Sequence, residues 1–461
     1  MYLTDRSAPA AQTDTEPARR RGAGRRVAPV VFVLGTVSLI TDISSEMVTA
    51  VLPLYLVTTL GFTPLAFGTL DGVYNGVSAL VQLTGGHLAD RVRNHKLMAG
   101  LGYALSAACK PLLLLAGSIA TLGTVLALDR TGKGLRTAPR DAMISLSTPA
   151  EKQGRAFGVH RAMDTTGAML GPLAAFLILS VAVDGYDAVF GVSACVAVLG
   201  VLVLVLFVPS RRQQAEQARE THAETGAEAS KETSAEANGE VDAEAGTAAG
   251  RPPVRVRDAL ALLRLPRLRA LAGCAALLGL TTVSDAFVYL LLQRRAGIAD
   301  AWFPLLPLGT AVVFLLLAVP VGALADRIGR RTVFLTGHLG LLIAYALLLW
   351  APDTPALPFL VLALHGMFYA ATDGVLPAAL ADIVPEQLRA TGLAIVGTSQ
   401  ALARFCCSLS FGAAWTLWGD SAALAGSAVG LLCCAAVAAF VLRPRDPITT
   451  TVTEPEPQGS R

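Results

Sequence analysis

The amino-acid sequence predicts an all-α, polytopic membrane protein with twelve transmembrane helices in two six-helix bundles. Three observations carry this expectation. The 461 residues are 53% hydrophobic and only 15% charged, with a mean hydropathy of +0.56, too little charge to cover a soluble domain. Apolar residues recur in blocks of about 20, the length a helix needs to cross a bilayer. Lysine and arginine gather in alternate intervals between those blocks, 28 on one side against Arg294 and Arg295 on the other. Such an asymmetry survives only if every crossing keeps its phase, and it places both termini in the cytoplasm.

In chain order, a basic tail, residues 1–29, carries Arg6, Arg19, Arg20, Arg21, Arg25 and Arg26 and is expected to be disordered. The apolar block behind it is long and ends in no clean cleavage site, so it reads as a retained first span rather than a signal peptide. Spans are expected at 31–55, 65–89, 97–116, 119–140, 156–180 and 187–208, forming a first bundle over residues 30–208. An acidic linker, 209–256, follows. Within it, residues 213–250 are rich in Ala, Glu, Thr and Gly and cannot bury enough apolar surface to fold, which suits a passive tether. Val254 to Arg264 is either a surface helix in the membrane plane or a plain helical lead-in. The second bundle, 257–442, holds spans at 268–291, 302–325, 332–350, 357–381, 390–416 and 422–442, and a tail, 443–461, closes the chain. The 43 glycines fit small-residue helix packing. Seven cysteines, Cys109, Cys195, Cys274, Cys406, Cys407, Cys433 and Cys434, all lie in apolar blocks without metal-ligand spacing. They read as small hydrophobic filler, and no metal site is expected.

An internal repeat supports the two halves. Gly86-His87-Leu88-Ala89-Asp90-Arg91 after the second span echoes Gly322-Ala323-Leu324-Ala325-Asp326-Arg327-Ile328-Gly329-Arg330-Arg331 after the eighth, with the aspartates 236 residues apart. Arg155-Ala156-Phe157-Gly158 echoes Arg389-Ala390-Thr391-Gly392 at an offset of 234. Near-equal offsets point to a duplicated unit, and parallel half-domains of this kind belong to alternating-access transporters.

On these residues, the chain resembles the major facilitator superfamily from residue 30 to 442. Gly322 to Arg331 matches that superfamily's loop signature, Gly-x-Leu-Ala-Asp-Arg-x-Gly-Arg-Arg/Lys, while the first copy departs from it at Asn94 and His95. In the family such loops stabilise one alternating-access state, which implies gating roles for Gly86, Asp90, Arg91, Gly322, Asp326 and Arg327. The alternative is a charge cluster that only sets orientation.

The charged residues within the spans are the candidate site. Asp42 and Glu46 lie one turn apart on one face of the first span, near mid-membrane. Charge at that depth needs a wet cavity or a partner, so the pair reads as a proton or cation site, with a structural ion pair or helix cap as the alternative. On the fourth span, Asp129, Lys133, Arg136 and Arg140 fall in a stripe about 60° wide. Asp129 sits one turn before Lys133, the favoured order for an intrahelical pair. Arg130 points away and is free to reach another helix, and Lys133 and Arg136 have acids such as Glu46 as alternative partners. Arg130-Thr131-Gly132-Lys133-Gly134 resembles the superfamily's fourth-helix Arg-x-x-Gln-Gly motif. The resemblance implies a coupling role for Arg130, and Lys133 in place of Gln adds a positive charge suited to an anionic or zwitterionic substrate. This run is no phosphate loop, since it lacks the spaced glycines and the following Ser or Thr.

The fifth span reads Gly158, Gly167, Gly171-Pro172, similar to the fifth-helix motif of proton-coupled exporters, with Ala175 in place of the usual last glycine. Gly167 and Gly171 also form a groove for close helix contact, and packing alone accounts for them. Arg161 and Asp164, three apart on the same helix, form either a local ion pair or a gate contact. Asp71 and Asn75 make a polar face on the second span, and Asp285, Asp373 and Arg404 are single charges in the second half. This distribution assigns coupling mostly to the first half and part of substrate recognition to the second, with Asp285 and Asp373 either binding substrate cations or pairing with Arg404.

The leading function is therefore secondary active transport, with proton-coupled export of a small organic compound across the cell inner membrane. The same fold allows an uptake permease for a metabolite or a metal-chelating compound. No cofactor is expected beyond a proton gradient, and the expected partners are the bilayer and a small-molecule substrate, not nucleic acid, with the monomer sufficient. No Ser-His-Asp order or metal-binding cluster argues for an enzyme.

Overall fold

A computed structural model describes residues 28–91, 95–148, 153–182, 185–208, 264–352, 354–373, 380, 384 and 389–443. The basic tail, the linker with its lead-in segment, and the C-terminal tail beyond Arg443 lie outside the described residues. The first half holds α1 (Pro29–Leu54), α2 (Pro64–Arg91), α3 (His95–Leu115), α4 (Ile119–Leu146), α5 (Gln153–Val181) and α6 (Gly185–Phe207). The second holds α7 (Pro266–Gly279), α8 (Asp285–Ala296), α9 (Leu305–Ile328), α10 (Arg330–Trp350), α11 (Leu357–Thr372), α12 (Arg389–Trp418) and α13 (Asp420–Val441). Helix therefore occupies each of the twelve expected spans, and no strand occurs among the described residues. Seven of the helices are long and apolar enough to cross a bilayer on length and composition alone. Helices α2, α4 and α12 fall outside that set, and each carries polar residues of the interior.

Local chemistry explains the helix ends. Pro53 near the end of α1 removes a ladder donor, the chain relaxes into a wider turn over Tyr55–Thr59, and Gly61 then reverses it with a φ of 63°. Ser118 and Thr121 cap α4 reciprocally, each backbone N–H donating to the other's hydroxyl at 3.2 Å. Arg295, one of the two basic residues on the sparse side, donates to the carbonyls of Leu348, Leu349 and Ala351 at 2.6, 3.1 and 2.7 Å. Its charge is thus absorbed by the C-terminus of α10.

The expected seventh span is not continuous. It breaks at Leu280–Ser284, where Thr281 and Thr282 turn their hydroxyls back to the Leu278 carbonyl at 3.1 and 2.8 Å. The loosened backbone finds partners elsewhere: the Tyr345 hydroxyl accepts from Val283 N–H at 2.8 Å, and the Cys407 thiol contacts the Thr282 carbonyl at 3.3 Å. The break places Asp285 in the first turn of α8, where the helix dipole favours an anion. In the tenth span α11 ends at Thr372 with Asp373 in a turn, and residues 374–379 lie outside the described residues.

Glycines set the interhelical distances. A methyl group on Gly167 of α5 would lie 2.5 Å from the Leu39 carbonyl oxygen of α1, and one on Gly171 would lie 2.7 Å from the Glu46 Cβ. Gly102 and Gly132 bring α3 and α4 equally close, a Cβ on either meeting the other's carbonyl at 2.7 Å. Gly158 has open space around it, so the packing account of the fifth-helix motif covers Gly167 and Gly171 only. Outward-facing Leu115, Val181, Val319, Phe359 and Leu417 are largely exposed, the apolar face a bilayer would cover. Cys109, Cys274 and Cys407 are buried, whereas Cys195, Cys406 and Cys433 face outward.

The halves meet at the end of the bundle away from the termini. There Gly68 of α2 approaches the Ser408 backbone of α12, and Gly412 of α12 approaches Pro64. Leu65 N–H donates to the Thr416 hydroxyl at 3.0 Å, and Phe176 packs on Trp302 with ring centroids 5.2 Å apart.

Candidate transport site between the two halves

Glycine-set packing of α1 against α5 and of α3 against α4 draws the first half's charges into one network, buried around Asp42 and Asp129 and more open at Glu46 and Arg161. Arg136 Nη2 donates to Asp42 Oδ1 at 3.0 Å, and the Arg136 guanidinium lies over the Tyr103 ring at 4.5 Å. Lys133 Nζ stands 3.5 Å from Glu46. Asp129 accepts at Oδ1 from Lys110 (3.0 Å) and Ser106 (2.6 Å), and at Oδ2 from Arg130 Nε and Nη2 (3.2 and 2.6 Å). Arg130 also stacks on Tyr74 of α2 at 4.2 Å. Asp164 of α5 sits beside Asp42 and is held by Arg140 at 3.6 Å and Arg161 at 3.5 Å. Arg140 reaches Ser38, whose hydroxyl contacts His160 Nε2 at 3.1 Å. Each of these four carboxylates thus has at least one fixed cation, which offsets the cost of burying it.

The intrahelical Asp129–Lys133 pair expected from spacing does not form. Lys110, from the neighbouring α3, takes Asp129 and leaves Lys133 for Glu46. Arg130 does reach another helix, but through an aromatic ring while keeping its own neighbour Asp129.

A cavity of about 340 Å³ lies between the halves, above this network. Its charged lining is acidic among the described residues: Glu46 and Asp71 from the first half, Asp285 and Asp373 from the second. Asn75 completes the predicted polar face of α2, its amide donating to the Asp71 carbonyl at 2.9 Å. The Asp71 carboxylate accepts from Ser408 of α12 at 2.6 Å and so ties the two halves together. Asp285 accepts from Tyr369 at 2.6 Å and contacts His365 Nε2 at 3.1 Å. Neither Asp285 nor Asp373 forms an ion pair with Arg404 among the described residues. Arg404 instead lines a second cavity of about 170 Å³, shared with His338, Gln400 and Asp373. Lys133 is absent from the main cavity's described lining, so the positive charge it adds is spent on Glu46.

At the loop signatures, Asp326 pairs with Arg330 at 3.7 Å, Arg331 donates to the Ala439 carbonyl, and Arg327 is exposed. Gly322 has open space around it, and the tight turn between α9 and α10 is made by Gly329 with a φ of 97°. The side chains of Asp90 and Arg91, and the surroundings of Gly86, lie outside the described residues. Sequence reasoning missed Lys110, Tyr74, Ser408, His365 and Tyr369. A lysine or histidine inside an apolar block was the available signal for Lys110 and His365; the others are ordinary span residues until the helices are placed.

Known proteins extend the likeness over most of the chain. The family model described as Major Facilitator Superfamily matches residues 34–312 and 271–460. The chain is 29% identical over 416 residues to the MFS-type transporter MJ1317 of Methanocaldococcus jannaschii, covering 88% of this chain and 94% of that protein. A shorter match, 33% identical over 162 residues, is to protein Rv2265 of Mycobacterium tuberculosis, covering 35% of this chain and 39% of that one. Among solved structures, the nucleoside transporter NupG aligns with a TM-score of 0.71 at 12% identity, over 90% of this chain and all of that one. A bacterial homolog of the human lysosomal transporter Spinster, inward-facing and unoccupied, aligns with a TM-score of 0.67 at 15% identity, over 89% and 96% of the two chains. At such identities the structures speak for the fold, and the family model and the full-length relative speak for the lineage. The chain belongs to the Major Facilitator Superfamily, as a membrane transporter.

Proposed function

We propose that the protein is a secondary active transporter that exports a small organic compound in exchange for protons by alternating access. The observation that carries this reading is the cavity between the halves, walled by carboxylates from both and backed by a buried charge network on one side. A site that both halves complete changes its access when they rock against each other. With both termini cytoplasmic in the inner membrane, the end sealed by α2 and α12 is the outer one. The likeness to an inward-facing solved structure supports the same assignment. The acidic, tyrosine-bearing lining favours a cargo with a cationic or hydrogen-bond-donating head over the anionic one that Lys133 suggested. Two pseudo-symmetric halves enclose the path, so the monomer suffices.

The test is transport by the purified full-length protein in liposomes carrying an internal pH dye, with an imposed proton gradient and a panel of organic cations, zwitterions and anions. The reading expects cargo and protons to move in opposite directions. Cargo flux without proton movement overturns coupling, and cargo movement along the proton gradient overturns antiport in favour of uptake.

A further inference from the structure

We infer that the exchangeable proton is held in the second half, on the pair Asp285–His365, with the first-half carboxylates serving as fixed structural charge. This deepens the coupling reading above and rests on it.

The assignment follows from which acids already have permanent partners. Asp42 has Arg136, Glu46 has Lys133, Asp129 has Lys110 and Arg130, and Asp164 has Arg140 and Arg161. Protonating any of them gives up an ion pair, and at Asp42 and Asp129 that pair is buried, so the partner cation is left without solvent. Of the four acids on the cavity wall among the described residues, only Asp285 is bonded there to an imidazole, the one side chain whose unperturbed titration falls at physiological pH. Its geometry suits a proton store with one door. The Asp285 side chain is 43% exposed, on the cavity side, while His365 is fully buried behind it. His365 therefore exchanges protons with water only through Asp285. Its other ring nitrogen, Nδ1, is buried without a hydrogen-bond partner among the described residues, so they offer no onward relay and a proton that enters leaves by the same carboxylate.

Among the described residues, the surroundings supply no fixed counter-charge in contact. Tyr369 donates its hydroxyl to Asp285, and Tyr289 of α8, Tyr345 of α10 and Cys407 of α12 are the other titratable groups nearby. The charged groups whose fields reach the pair are Arg404 of α12, Asp71 of α2 and Asp373 at the end of α11. One proton added to ionised Asp285 and neutral His365 makes the pair net neutral; its titration belongs to the pair rather than to either residue. A cationic cargo contacting Asp285 from the cavity would compete with that proton, which is the exchange an antiporter requires.

The test reads protonation directly and needs no cargo. Full-length protein in a lipid film is cycled between about pH 5 and 8, the histidine range, while infrared difference spectra follow carboxyl and imidazole bands. Wild type should show one carboxyl–imidazole transition, absent in Asp285→Asn. In His365→Gln, which keeps an N–H donor for Asp285, the carboxyl transition should move by about one pH unit or more, a tenfold change in proton affinity. Variants are taken forward only if they elute as a single monodisperse species, and Tyr369→Phe serves as a second perturbation of the same carboxylate. A transition that persists in Asp285→Asn, or one lost instead in Asp42→Asn, Glu46→Gln or Asp164→Asn, overturns the assignment. So does a carboxyl transition that His365→Gln leaves unmoved. Wild-type proton flux in the liposome assay judges coupling separately: coupled wild type with equally coupled Asp285→Asn sinks this assignment alone.

Discussion

Replacing Asp42 with asparagine should destabilise the first half severely, and removing Arg136 at the same time should restore much of the loss. Arg136 and Asp42 are 2% and 6% exposed and 3.0 Å apart, so no water is at hand to solvate whichever charge is left. Breaking a buried pair from one side costs about 3–5 kcal/mol, chiefly as the penalty on the orphaned charge. For a unit the size of one six-helix half, 1 kcal/mol moves the melting midpoint by about 2–4 °C. Asp42→Asn should therefore melt about 10 °C below wild type. Arg136 would keep its contact with the Tyr103 ring, which places the effect toward the lower bound. In Asp42→Asn with Arg136→Gln, two neutral groups can hydrogen-bond across the same gap, and at least half of the loss should return. The assay is thermal unfolding in mild detergent, followed by size-exclusion chromatography of the fluorescently tagged full-length protein. An Asp42→Asn variant that melts within about 2 °C of wild type, or a double variant as unstable as the two singles summed, would refute the reasoning.

Three further outcomes follow from the geometry. Gly167→Val should lower the melting midpoint by the equivalent of about 1–3 kcal/mol of overpacking, because its side chain meets the Leu39 backbone, whereas Gly158→Val should leave it unchanged; equal effects would contradict the packing account. Ser408→Ala deletes the hydrogen bond to Asp71 that joins the halves, and a net loss of about 0.5–1.5 kcal/mol shifts the closed-to-open ratio by roughly 2- to 13-fold. Spin labels at Leu65 and Leu417 should report a larger long-distance population in that variant. Arg130→Lys keeps the charge but gives up the two contacts to Asp129 Oδ2 and the planar stack on Tyr74; transport should fall while expression and melting change little, and wild-type transport in Arg130→Lys would remove Arg130 from the working site.

The all-helical membrane fold and the buried charged positions were legible because each has a one-dimensional signature. Apolar block length marks a span, and a carboxylate in an apolar run advertises itself. Partner choice was not legible in the same way. Asp129 and Lys133 have ideal spacing along one helix, yet Lys110 from α3 reaches Asp129 because Gly102 and Gly132 let the two helices close. The break before Asp285 was hidden because Thr281, Thr282 and Val283 are apolar enough to continue a span; only the Tyr345 hydroxyl waiting for the Val283 N–H makes the open turn affordable. His365 and Tyr369 are one turn apart on α11, but their meaning depends on Asp285 arriving from another helix, 80 residues earlier in the chain.

The seam between α2 and α12 bears on how readily the protein can move. At Gly68 and Gly412 the helices touch backbone to backbone, while further along the seam the Phe405 ring of α12 packs against Gly72 and Gly76 of α2. Prising apart interlocked leucines would open voids on both sides and raise a steep barrier. Where backbone meets backbone there is little to prise apart, so closure there rests chiefly on the polar latches Ser408 to Asp71 and Leu65 to Thr416. One of those latches ends on a carboxylate in the cavity wall. Whatever binds that carboxylate competes with the serine for it, so cargo arriving in the cavity can loosen the seam from within.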